Sequence, residues 1–398
     1  MKNEHNKVNV ITKIVLLFGA TMALMSGAAL TTATTAMMAE FEGMPNIRLW
    51  ISMVLTLPAL FVVIGGPVSG FLTDRFGRKK ILVSALFLCG LSGSAGVFLH
   101  SIWAILGTRA LLGLGIAGVS TATNALISDL FGGESRSRFL GFQSAVTGLN
   151  GIAFFILGGI LVNANWRFSF LAYSPLLILF LLAWIFVREP EVVRHHGDEM
   201  IESKLRLDGK KAFIFSATFI SQFIYVTLPV FIAYYLADLL GANGTMIGIA
   251  GAISNAVSFL IGLFYGRIKQ RMTFPGLFLI ASIASGIGFL VLGLAQSWFL
   301  IVLAEVILGF FVGLNLSNLP AWLASEVGPN VRGRANGIYV MMMYFGQFAS
   351  SIVFTPIVQV TGYETVYFIV SGLSVLTGFG VFFLPQESRQ LEKTDSEA

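Results

Sequence analysis

The sequence predicts an all-α integral membrane protein of twelve transmembrane helices in two groups of six, and three observations carry that expectation. The 398 residues are 56% hydrophobic and only 11% charged, whereas soluble chains carry roughly 25% charge. Apolar runs near the ~20 residues that a bilayer crossing needs fall at 13–38, 48–73, 81–99, 102–128, 139–162, 166–187, 212–238, 245–266, 274–295, 298–324, 335–360 and 363–384. With the N-terminus inside, 22 of the 25 basic residues lie in cytoplasmic segments: three before the first helix, four between helices 2 and 3, two between 4 and 5, six between 6 and 7, three between 8 and 9, two between 10 and 11, and two in the tail. Only Arg48 and Arg167 fall outside, and Arg109 lies within the fourth run. A miscounted helix would destroy that positive-inside bias, so it supports both the orientation and the number twelve.

Taken in order, the first run starts behind Lys2, Lys7 and Lys13 and continues through Met38 without a cleavage site, which predicts a retained helix and not a signal peptide. It offers Ser26, Thr31, Thr32, Thr34 and Thr35, but no acid before Glu40 and Glu42. The second run carries small Gly66, Ser69 and Gly70, which allow close helix approach. The third holds Cys89, the lone cysteine, which excludes a disulfide framework or a cysteine-ligated metal. The fourth contains Arg109, with Ser120, Thr123 and Asn124 on the same helical face. The fifth has Gln143 and Asn150 among Gly148, Gly151, Gly158 and Gly159, and the sixth completes a first bundle over 1–187.

Residues 188–211 hold six basic residues, six acidic residues, His195 and His196, and read as a cytoplasmic linker with solvated histidines and at most a short surface helix at 198–207. The second bundle spans 212–384, followed by a cytoplasmic tail at 385–398. Its polar or aromatic residues in apolar helices are Gln222 and Tyr225, Asn255, Asn315 and Asn318, Tyr344 and Gln347. With Arg109, Ser120, Thr123, Asn124, Gln143 and Asn150 they are candidates to line a cavity, although interhelical polar contacts also serve packing. Met341, Met342 and Met343 point in different directions along one turn, as core and lipid packing would have them.

The halves are related. An offset of 196 places Gly66 on Gly262, Gly70 on Gly266, Arg75 on Arg271, Gly113 on Gly309, Arg138 on Arg334 and Gly141 on Gly337. The same offset sets Arg109 on Glu305. Arginine at a helix centre costs about 2.5 to 3.5 kcal/mol on insertion scales, so both ionisable residues read as functional. Glu305 suits a proton carrier, with Arg109 as its cation or as a contact for an anionic substrate group.

The stretch Gly66-Pro67-Val68-Ser69-Gly70-Phe71-Leu72-Thr73-Asp74-Arg75-Phe76-Gly77-Arg78-Lys79-Lys80 resembles the signature between helices 2 and 3 in the major facilitator superfamily, and Arg109-Ala-Leu-Leu-Gly113-Leu-Gly115 resembles that family's helix 4 pattern. The resemblance implies two pseudo-symmetric bundles, with helices 1, 4, 7 and 10 around a central cavity. It implies a cytoplasmic gate in which Gly66, Gly70, Asp74, Arg75, Gly77 and Arg78 act, with Asp74 facing the start of helix 11. Asp129 and Glu326, near Arg136, Arg138, Arg332 and Arg334, would add gate salt bridges. The second copy of the loop has Gln270 in place of the acid, and the Gly-Pro pair typical of antiporters is replaced in helix 5 by Phe154 and Phe155.

The expected function is secondary transport by alternating access, as proton-coupled efflux of a drug or metabolite. The alternative is a proton-coupled transporter of an anionic metabolite or siderophore, or a sugar importer. No serine-histidine-acid grouping, metal spacing or phosphate loop argues for an enzyme or a cofactor. The expected partners are a small-molecule substrate, protons and lipid, without nucleic acid, for a monomer in a bacterial inner membrane with both termini cytoplasmic.

Overall fold

The computed structural model describes residues 8–25, 27–190, 206–328 and 331–384. Ser26, His195, His196, residues 198–205 of the expected surface helix and the tail 385–398 lie outside the described residues. Among those described, twelve helices are long and apolar enough to cross a bilayer: helix 1 (Val10–Thr31), helix 2 (Ile47–Phe76), helix 3 (Arg78–Phe98), helix 4 (Ile102–Leu130), helix 5 (Arg138–Ala164), helix 6 (Trp166–Phe186), helix 7 (Gly209–Leu240), helix 8 (Gly244–Lys269), helix 9 (Phe274–Gly293), helix 10 (Trp298–Glu326), helix 11 (Arg332–Thr361) and helix 12 (Tyr363–Phe383). The chain is therefore a multi-pass membrane protein. Connections are tight at the turns between consecutive helices. Asp208, Asn243 and Thr273 accept backbone N–H groups at the starts of helices 7, 8 and 9. Gly241 closes helix 7 in the left-handed region at φ +61°.

Two helices differ from the sequence expectation. The first does not run through Met38: it stops at Thr31, and Thr34–Glu40 form a separate short helix. At the break Thr32 Oγ1 donates to Ala29 O at 2.8 Å and Thr34 Oγ1 to Thr31 O at 2.9 Å, side-chain bonds of the kind that often bend helices. Helix 6 begins as 3₁₀ over Trp166–Tyr173 and becomes α at Pro175, a first-turn position where a missing N–H costs nothing.

The two bundles repeat one packing scheme. Helix 4 lies against helices 2 and 3, helix 3 against 6, and helix 1 against 5; helix 10 lies against 8 and 9, helix 9 against 12, and helix 7 against 11. Equivalent glycines make equivalent contacts. A Cβ on Gly113 would lie 2.3 Å from Pro58 O on helix 2, and one on Gly309 would lie 2.5 Å from Ser254 O on helix 8; both pairs stand at the offset of 196. The bundles meet along helices 5 and 8 and along helices 2 and 11. Large apolar side chains such as Phe98, Trp184, Phe299 and Val360 point outward, as bilayer contact requires.

Candidate functional site

The two ends of the molecule differ. At the end opposite the basic loops, helices 5 and 8 are in contact: Asn163 Nδ2 donates to Thr245 Oγ1 at 2.7 Å, and a Cβ on Gly248 would lie 2.5 Å from Phe155 O. Midway they remain close, with the Gly151 position 2.5 Å from Asn255 Oδ1 and the Gly148 position 2.9 Å from the Phe259 ring. Beyond that point they part, and Gly141 and Gly266 have nothing within 4 Å of a Cβ. Helices 2 and 11 do the same: Thr56 Oγ1 donates to Ser351 Oγ at 3.0 Å, while Gly66, Gly70, Gly333 and Gly337 face open space. The molecule is closed at one end and splayed at its basic end.

A cavity of about 470 Å³ occupies the splay, between Gly141, Ser144, Thr147 and Gly148 of helix 5, Tyr225 of helix 7, Asn255, Ser258 and Phe259 of helix 8, and Gly313, Leu316 and Ser317 of helix 10. That volume suits a drug-sized molecule. Its lining is apolar with hydroxyl and amide groups interspersed, and carries no charged residue. Tyr225 and Asn255 also border a smaller pocket of about 10 Å³ that contains Glu305 with Phe155, Gly251 and Ser254, room for about one water. Glu305 is completely buried beside the Ser254 hydroxyl and has no ion-pair partner among the described residues.

Arg109 is not the cation of Glu305 in this arrangement. It is completely buried inside the first bundle, where Nη2 donates to Ser92 O at 3.0 Å and Gly93 O at 2.8 Å. The α-helical part of helix 3 ends at Ser94, so these carbonyls belong to the last turn, which lacks intrahelical donors and carries the negative end of the helix dipole. The guanidinium also sits 4.9 Å from the Phe170 ring centre and 5.1 Å from that of Tyr173. Those rings reach it because Gly93 and Gly96 leave space; a Cβ on either would fall within 2.5 Å of Tyr173 or Phe170.

Of the other candidates, only Tyr225 and Asn255 line the larger cavity. Gln143 Nε2 donates to Leu16 O at 3.4 Å and Asn150 Nδ2 to Thr21 Oγ1 at 2.9 Å, joining helices 5 and 1. Gln347 Nε2 donates to Gln222 Oε1 at 3.0 Å, joining helices 11 and 7. Asn318 bonds Tyr265 and Phe274 O, Tyr344 is buried in helix 11, and Asn315 is buried with both amide atoms unpartnered among the described residues. Thr123 is buried, Ser120 partly so, and Asn124 is exposed, so the helix 4 stripe does not wet a shared cavity with Arg109. The sequence reading missed Ser144, Thr147, Ser258 and Ser317. The signal was periodic: Gly141, Ser144, Ala145 and Gly148 stand at i, i+3, i+4, i+7, as do Asn255, Ser258, Phe259 and Gly262.

At the basic end the expected gate residues are placed as follows. Asp129 pairs with Arg78, whose Nε is 3.0 Å from Asp129 Oδ2. Glu326 accepts from Trp322 Nε1 at 3.3 Å and lines a cavity with Lys210 and Lys269. Asp74, expected against the start of helix 11, is exposed, which fits the parting of helices 2 and 11 there. Arg138 and Arg334 are exposed, and Arg75 lies over the Phe71 and Phe76 rings at 5.9 and 5.5 Å.

The Major Facilitator Superfamily model matches the chain twice, over residues 16–213 and 214–398, one match for each bundle. The chain belongs to the Major Facilitator Superfamily. Among relatives, it is 28% identical over 327 residues to the class G tetracycline resistance protein of Vibrio anguillarum, spanning 77% of this chain and 80% of that one. It is 25% identical over 365 residues to the bacillibactin exporter of Bacillus subtilis (strain 168), spanning 86% and 89%. A solved D-xylose-proton symporter has the same fold, with a TM-score of 0.80 and 18% identity over 95% of this chain and 98% of that one. Membership makes the chain a transporter of that fold.

Proposed function

We propose that this transporter is a proton-coupled exporter of small, largely apolar molecules, with Glu305 carrying the proton. One observation bears most of the reading: a completely buried carboxyl group with no described cation beside it stands behind Tyr225 and Asn255, which it shares as walls with the uncharged 470 Å³ cavity. An unpaired carboxylate in apolar surroundings is costly, so the group is cheapest with its proton bound. It can release that proton when the pocket is wetted or a cationic substrate group arrives. The relatives named for tetracycline resistance and bacillibactin export support the outward direction. The uncharged cavity supports a drug-like cargo over an anionic one, because Arg109, the residue that favoured an anion, is enclosed elsewhere. The basic end is read as cytoplasmic, so the splayed state is the loading state of an alternating-access cycle.

Everted vesicles provide the test. Respiring vesicles that hold a pH-sensitive dye receive lipophilic cations, organic anions and sugars in turn, with wild type and Glu305→Gln compared. Proton efflux on addition of apolar cations or neutral drugs, absent from the Gln variant, is expected. Equal responses from the two proteins remove Glu305 from coupling, and a response only to anions or sugars replaces the drug reading.

A further inference from the structure

The first helix of each half is interrupted at one repeat position, and the two interruptions differ. Helix 1 stops at Thr31 and a new helix starts at Thr34. The offset of 196 carries Ala33, in that break, onto Pro229, which lies inside helix 7 while the helix runs on from Gly209 to Leu240. Proline has no N–H, and its ring presses on the carbonyl four residues earlier. That carbonyl belongs to Tyr225. In a bilayer such a carbonyl is satisfied by a neighbouring helix, a hydroxyl side chain or an ordered water. The nearby hydroxyl of Thr227 is engaged elsewhere, since Oγ1 donates to Phe223 O at 3.3 Å.

The freed carbonyl lies on the face of helix 7 that looks at Glu305. Tyr225, Leu228, Pro229 and Ile232 stand at i, i+3, i+4 and i+7 on one side of the helix, and all four line the pocket of about 10 Å³ that contains Glu305. The other walls narrow the polar groups that can meet there. Phe155 reaches in from helix 5 over Gly251, where a Cβ would lie 2.4 Å from its ring. Asn255 is turned away: Nδ2 donates to Gly251 O at 2.9 Å, and Oδ1 lies 2.5 Å from the Gly151 position on helix 5. The Ser254 hydroxyl stands beside the Glu305 carboxyl. The volume is that of one water, and a buried water needs two to four polar partners. Glu305, Ser254 and the Tyr225 carbonyl supply three.

We propose that this pocket holds one ordered water, which accepts the Glu305 O–H and donates to the Tyr225 carbonyl and to Ser254 Oγ. The proposal rests on the reading of Glu305 as the proton carrier. Pro229 is then a positioning residue, because its missing N–H leaves the acceptor free. In transporters the carbonyls of interrupted helices serve coupling ions in this way. Tyr225 has two contacts as a result: its main chain holds the protonated acid through the water, and its side chain walls the 470 Å³ cavity. Cargo that displaces the ring therefore displaces the acceptor, and one residue links the occupied cavity to the hold on the proton.

Infrared difference spectroscopy of the full-length protein in proteoliposomes tests the water and its acceptor. The protonated carboxyl band that disappears in Glu305→Gln is the Glu305 signal. Pro229→Ala returns an N–H to the Tyr225 carbonyl, and alanine favours the helix, so the fold is kept. The Glu305 band is expected at a higher frequency in Pro229→Ala than in wild type, as the acid loses its hydrogen-bonded water. A water O–H band, identified by its shift in oxygen-18 water, is expected in wild type and absent from that variant. A Glu305 band that stays in place or moves down in Pro229→Ala overturns the proposal and leaves Glu305 as the carrier. So does a band that moves in Tyr225→Phe, which keeps the carbonyl, and not in Pro229→Ala, since the phenol would then be the partner. If no protonated carboxyl band is lost in Glu305→Gln, the carrier reading itself falls and the water with it.

Discussion

Arg109 and Glu305 stand at one repeat position, yet they have become different kinds of residue. Arg109 closes the end of a neighbouring helix: its two hydrogen bonds go to Ser92 O and Gly93 O, and two aromatic rings cover it. Arg109→Met leaves two carbonyls without their charged donor, so a loss of about 2 kcal/mol of stability is expected, with Arg109→Lys losing less. Thermal unfolding in detergent measures both, and a methionine variant as stable as wild type would remove the capping role. The sequence made the depth of Arg109 legible, because arginine inside an apolar run is conspicuous. Its facing was not legible. A helical wheel names the side of helix 4 but not the neighbour there, and that neighbour depends on where helix 3 turns to 3₁₀ and on the space left by Gly93 and Gly96. A second ionic contact lies at the far end, where Arg167 Nη2 donates to Glu40 Oε1 at 2.9 Å. That hydrogen bond, and then the charge behind it, hold the Glu40 carboxyl below the usual carboxylate range. A lowered folded-state value means the contact stabilises fully above the unfolded value of about 4.3 and is lost as pH falls through the lowered one. Glu40→Gln should therefore unfold at a lower temperature than wild type near neutral pH, and the gap should close in acid. A gap that persists at the acid end would assign the effect to something other than the ion pair.

Helices 5 and 8 behave as a pair of levers joined at the far end. Their contact is backbone-close through Gly159, Gly244 and Gly248 and is lost beyond Gly148 and Phe259, so the cavity depends on small residues on one side of the joint and open space on the other. Both helices were legible in the sequence as spans, and the glycines of helix 5 were conspicuous. The partner of those glycines was not, because a small-residue stripe says that something comes close without saying what. The far-end contact gives a direct handle on alternation. Asn163 Nδ2 and Thr245 Oγ1 touch at 2.7 Å, and the native cysteine, Cys89, is buried. Asn163→Cys/Thr245→Cys, joined by a short bifunctional thiol reagent, should cross-link in high yield and stop transport, while each single variant treated alike continues to transport. Full activity in the cross-linked protein would mean that helices 5 and 8 need not part at the far end, and alternation would have to be sought at helices 2 and 11.

At the scale of the molecule, duplication accounts for what the two halves share, and charge predicts which way they stand in the membrane. The shared packing of Gly113 on Pro58 and Gly309 on Ser254 needs no lipid to explain it. The lean of 22 basic residues to one side that the sequence predicts does. That lean was readable from sequence because topology depends on counts in loops, which survive errors of several residues in helix ends. The cavity was not readable to the same degree, because it exists only where two helices diverge. The two facts meet in one experiment. Ser144 and Ser317 line the splay from helices 5 and 10, so single cysteines there, in a Cys89→Ser background, report which compartment the cavity opens to. A membrane-impermeant maleimide should label Ser317→Cys rapidly in everted vesicles and slowly in intact cells, and a transported compound held in the cavity should slow that labelling. Rapid labelling in intact cells and not in everted vesicles would invert the molecule in the membrane. The splayed end would then face outward, and the export direction would have to be given up together with the cytoplasmic assignment of the basic loops.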